Sequence, residues 1–84
     1  MASKRDFKKE LNYIIIDLVE ECFNIQMYNP SKTDATNGVI EEVVGFRNEL
    51  VERIHKAKTK KEFTELRKEG NDRINTLVEK VNSL

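Results

Sequence analysis

Residues 11–28 carry more apolar surface than a helix with a single neighbour needs. Placed at about 100° per residue, Phe7, Leu11, Ile14, Ile15, Leu18, Cys22 and Ile25 form one stripe. Ile16, Val19, Phe23 and Met27 form a second stripe beside it. A helix on the edge of a fold buries one such stripe. The first stripe is an ordinary core face, and the second calls for a partner. Any fold for this chain must therefore supply that partner, from another helix of the same chain or from another molecule.

The chain has 84 residues, enough for one domain spanning 1–84. A domain of this size buries only about 60% of its unfolded surface, so its stability is marginal without a staple. Cys22 is the only cysteine and His55 the only histidine. Neither an internal disulfide nor a Cys/His metal cluster can form, and no cofactor motif is present. Self-association is the remaining staple. Low cysteine usage fits a reducing cytoplasm.

Lys and Arg total 15, and Asp and Glu total 15. A dedicated nucleic-acid binder carries a basic excess, so the balance argues against that class. Asp17, Glu20 and Glu21 interrupt the apolar run of the first helix. They argue against a secretory leader and against a membrane span, which needs about 20 apolar residues.

The pattern predicts three helices, over residues 4–28, 33–57 and 60–82. Ser3 with Asp6 makes a capping-box-like start for the first, and Asn29-Pro30 ends it. Ser31, Thr33, Asp34 and Asn37 are all candidate caps for the second, whose first turns are weakened by Gly38. Its apolar positions are Val39, Ile40, Val43, Val44, Phe46, Leu50, Val51 and Ile54. Thr59 and Glu62 form a capping box for the third. The stripe of that helix, Phe63, Leu66, Gly70, Ile74, Leu77, Val81 and Leu84, has spacings of 3, 4, 4, 3, 4 and 3, close to a coiled-coil seam.

Three amphipathic helices with short connections imply an all-α, antiparallel up-down-up three-helix bundle. Counting outward from the second turn sets Gly70 level with Phe46, a small residue facing a large one.

Few residues suggest chemistry. Glu52-Arg-Ile-His55 resembles half of a di-iron helix motif, but Glu52 points away from the apolar face and His55 lies at its rim. Cys22 lies on the core stripe and reads as a small hydrophobe. Arg47 falls within the apolar stripe of the second helix. It requires a carboxylate partner, with Asp17, Glu20, Glu21 and Glu69 as candidates, or a stem at the core edge with its head in water, or a ligand. Lys4, Arg5, Lys8, Lys9, Arg53, Lys56, Lys58, Lys60 and Lys61 collect at one pole of the bundle. Cations in the first turns of helices oppose the helix dipole, which suggests anion binding there. Asp6, Glu10, Glu52 and Glu62 dilute that patch.

Lys8-Lys9-Glu10-Leu11-Asn12-Tyr13, Glu20-Glu21-Cys22-Phe23, Pro30, Arg47-Asn48-Glu49-Leu50 and Arg53-Ile54 resemble a small uncharacterised helical protein family of Bacteroidetes. The likeness covers most of the first two helices and is weaker in the third. It departs at Asp34–Gly38, where a more acidic helix start is the pattern. It implies a small cytoplasmic helical protein and says nothing about catalysis.

The residues thus point to a non-enzymatic interaction module without catalytic residues, cofactor or metal. The candidate interface is Tyr13, Ile16, Val19, Phe23 and Met27. The expected partner is a second copy or another protein, rather than nucleic acid, a membrane or a small-molecule substrate. The alternative is binding of nucleic acid or another anion at the basic pole.

Overall fold

The computed structural model describes residues Lys4–Leu84. It contains α1 (Lys4–Tyr28), a 3-10 turn (Pro30–Lys32), α2 (Thr33–Lys56) and α3 (Lys60–Asn82), with no strand among the described residues. The all-α architecture and the helix boundaries follow the sequence pattern closely. The cap expected at Ser3 lies outside the described residues.

Each boundary has a local cause. The Asn29 amide still bonds Ile25 O at 2.8 Å, and Pro30 then diverts the chain. None of the four candidate caps starts α2. Its N-cap position is Lys32, without a side-chain cap. The 3-10 turn replaces the cap: the Lys32 amide bonds Asn29 O, and the Thr33 amide bonds Pro30 O. The Thr33 hydroxyl instead donates to Pro30 O at 2.7 Å. At α3 the capping box forms almost as expected. Thr59 Oγ1 accepts from the Glu62 amide at 3.1 Å, while the Glu62 carboxylate accepts from the Lys58 amide at 3.0 Å. Helix α2 ends one residue earlier than expected, because Ala57 turns into extended conformation.

The contacts run in opposite directions along successive helices. Lys8 meets His55, Asn12 meets Arg47, and Gln26 meets Thr36 and Asn37. Arg53 meets Glu69, Glu49 meets Arg73, and Glu42 meets Lys80. Helices α1 and α2 are therefore antiparallel, as are α2 and α3, in an up-down-up rod of 46 × 17 × 16 Å.

The α2–α3 register corrects the expected pairing of Gly70 with Phe46. Gly70 faces Leu50 and Phe7 instead. Ala57 and Thr59 are both extended. An extended residue advances roughly 3.3 Å and a helical one 1.5 Å. A short extended link therefore carries α3 well past the end of α2 before it turns back. The first turn of α3 overhangs α2 and packs beside the start of α1. There the Phe7 and Phe63 rings meet edge to face, with centroids 5.8 Å apart.

The core contains Phe7, Leu11, Ile15, Leu18 and Cys22 of α1, Val43, Phe46, Leu50 and Ile54 of α2, and Leu66, Ile74, Leu77 and Val81 of α3. These are the stripes expected from helical periodicity. Two arginines of α3 roof aromatic rings: Arg67 sits over Phe7 and Arg73 over Phe46, at 5.9 and 4.8 Å from the centroids.

Candidate functional site

Side chains of the second α1 stripe remain on the surface. Tyr13, Ile16, Phe23 and Met27 are 59%, 53%, 51% and 80% exposed. Val19 differs: it is half-buried and packs against the core, so it closes the α1–α2 seam rather than waiting for a partner.

The register extends this face onto α2. From the Asn12–Arg47 contact, one turn along each helix leads to Ile16 on α1 and Val44 on α2. The next turn leads to Val19 and Ile40, and the next to Phe23, a turn before the Gln26–Asn37 contact. Val44 is 41% exposed, and Ile40 is half-buried. The partners of α3 on α2 are Glu42, Phe46, Glu49 and Arg53, on the other flank. Ile16, Phe23 and Val44 thus share an outward face across the α1–α2 seam, on the side that α3 leaves open. Val44 was legible as an apolar position, but its place in this face depends on register. Tyr28, 90% exposed at the end of α1, was also not anticipated.

Arg47 is half-buried on the rim of that face, and no carboxylate among the described residues pairs with it. Its Nε donates to Asn12 Oδ1 and its guanidinium to Asn48 Oδ1, both at 3.0 Å. Among the expected partners, Asp17, Glu20 and Glu21 lie more than a turn beyond Asn12, and Glu69 is engaged by Arg53. The amides satisfy the guanidinium at the core edge.

The seam is closed near the other end by a contact that the sequence did not announce. Thr36 is fully buried, and its hydroxyl accepts from Gln26 Nε2 at 2.7 Å. The same amide nitrogen donates to Asn37 Oδ1 at 2.7 Å. Helix periodicity reports apolar residues, so a polar staple of this kind has no signature in it.

The basic residues divide. Lys4 donates to the Ala57 carbonyl, which caps the end of α2. Lys8 Nζ lies 3.0 Å from His55 Nε2, and Lys56 pairs with Glu52 at 3.1 Å. The Glu52–His55 pattern is thus spent on two separate lysine contacts. No group of three or more His, Cys, Asp or Glu among the described residues could hold a metal ion. Arg5, Lys9 and Lys61 are exposed. Two open cavities flank Ala57. One, of about 320 Å³, is lined by Glu62, Glu65 and Glu69 together with Arg53 and Lys56. The other, of about 410 Å³, has Lys4, Lys58, Lys60 and Arg67 around it and no acidic residue among the described residues that line it. The pole is therefore two surfaces of different charge, and Arg67 was not among its expected members.

Cys22 is completely buried. Burial, aided by the nearby Glu21 charge, pushes its thiol pKa up, which disfavours the reactive thiolate. No helix among the described residues is long and apolar enough to cross a membrane.

No family model matches the chain, and no curated protein or solved structure shows significant similarity to it. The site is accordingly read from its own geometry.

Proposed function

We infer that the protein is a cytoplasmic, non-enzymatic interaction module that pairs with a second copy of itself through the outward α1–α2 face. The observation that carries this reading is the continuity of that face. Exposed Ile16 and Phe23 on α1 share one outward side with exposed Val44 on α2, and Tyr13 and Met27 extend it further round α1, so apolar surface spans two helices. A thin bundle of 84 residues gains stability by covering such a strip.

Residue spacing accommodates a second copy in antiparallel orientation. The exposed apolar residues of α1 are spaced almost symmetrically about Val19 and Glu20, with Tyr13 and Ile16 before them and Phe23 and Met27 after. Antiparallel pairing about a twofold axis there sets Ile16 of each copy beside Phe23 of the other and Tyr13 beside Met27.

Sedimentation analysis tests the reading. The wild type is expected to sediment as a dimer at micromolar concentration, and Phe23→Glu as a folded monomer with unchanged helical circular dichroism. A monomeric wild type at millimolar concentration overturns the proposal.

A further inference from the structure

We propose that the cavity beneath the overhanging first turn of α3 binds a small amphipathic anion, a carboxylate with an apolar tail. The cavity, about 410 Å³ in volume, lies within the size range of small-ligand sites. It is independent of the dimer face: it opens at the end of the rod where α1 begins, and its wall comes from α3, the α2–α3 link and Lys4 of α1.

Its lining divides into two chemistries. Phe63, held by its edge-to-face contact with Phe7, supplies an aromatic wall, and Ala57 supplies a small apolar floor. Lys4, Lys58, Lys60 and Arg67 surround them. Three carboxylates of the same region, Glu62, Glu65 and Glu69, lie elsewhere. Glu62 is turned back by the Lys58 amide, and it lines the neighbouring cavity with Glu65 and Glu69. A cavity with four cations and no acid in its lining favours an anionic head, while its apolar wall rewards a tail.

Two of the cations are already positioned. Lys4 is tied to the Ala57 carbonyl, and Arg67 rests over the Phe7 ring. An incoming head group therefore meets donors whose ordering is largely complete, which reduces the entropy lost on binding. Lys58 and Lys60 are exposed and free to close over the head. The overhang is what makes the site. Had the α2–α3 link been a tight helical turn, the first turn of α3 would lie against α2 and the cavity would be filled.

The test is an amide chemical-shift titration of the full chain, carried out in the Phe23→Glu background so that self-association does not contribute. The probes are octanoate, acetate and 1-octanol. Octanoate is expected to give saturable shifts confined to the start of α1 around Lys4 and to residues 57–67, with acetate and 1-octanol each binding at least tenfold more weakly. Lys58→Glu combined with Lys60→Glu should weaken octanoate at least tenfold. Thr64→Phe, which fills the cavity from an exposed helical position, should abolish binding without reversing any charge. Equal binding of 1-octanol, shifts centred on Ile16 and Val44, or no saturable shift with octanoate overturns the proposal. So does tighter binding of a short DNA duplex to the same amides.

Discussion

A methyl group added to Gly70 would stand 2.9 Å from Leu50 Cδ2. Here α2 and α3 approach closely enough to exclude a side chain. Alanine favours a helix over glycine by about 1 kcal/mol, and overpacking a core costs about 1–3 kcal/mol. Leu50 is buried in the core, which limits how far its side chain can shift, so overpacking outweighs the helix gain. Gly70→Ala should lower stability by about 1 kcal/mol in urea denaturation. Gly38 and Gly45 have nothing within 4 Å of a built Cβ. Alanine at either should stabilise by about 0.5–1 kcal/mol. A stabilising Gly70→Ala would show that the contact yields easily.

Val44 separates the two-helix face from an interface made by α1 alone. Val44→Glu should shift the sedimentation equilibrium to monomer while leaving the melting temperature of the monomer nearly unchanged. A Val44→Glu dimer as tight as the wild type would confine the interface to α1.

Arg47 is held by amides rather than by an ion pair, and that sets the effect of replacing it. Removing one partner of a buried ion pair costs about 3–5 kcal/mol. Here Arg47→Leu leaves Asn12 half-buried with access to water, and leucine refills the stem's place. The stability change should stay within about 1 kcal/mol, as read by urea denaturation. The added apolar surface at the rim should also tighten the dimer.

The Thr36–Gln26 contact ties the end of α1 to the start of α2. Thr36→Val keeps the volume but removes the acceptor inside the seam. It should cost about 1–2 kcal/mol and speed amide exchange around Gln26 relative to the rest of α1.

Cys22 makes part of the stability depend on pH on the alkaline side. Its pKa is raised on folding, so the folded state holds the thiol proton more tightly than the unfolded state does. This contribution is full below the unfolded thiol pKa of about 8.5 and is lost as pH rises through the folded value. The melting temperature should fall above that pH, and the fall should be smaller in Cys22→Ala. At neutral pH a thiol reagent should react only at the rate of unfolding.

Much of this architecture was legible in one dimension. Apolar spacing gave the three stripes, Pro30 gave the end of α1, and Thr59 with Glu62 gave the start of α3. These signals act within a few residues, through backbone sterics and the helical period. The spare apolar arc of α1 was legible for the same reason.

Relations between helices were not. Gly70 meets Leu50 rather than Phe46 because the extended Ala57–Thr59 link displaces α3 along its axis. The same displacement brings Lys4, Lys58, Lys60 and Arg67 around one cavity. The α1–α2 register sets Val44 beside Ile16, draws Val19 into the seam and gives Arg47 an asparagine for a partner. A helix carries its own faces in its periodicity, whereas the axial offset between helices is set by the length and conformation of the links and by packing across the seam. The face of α1 thus belonged to the chain, and the surface it forms with α2 belonged to the fold.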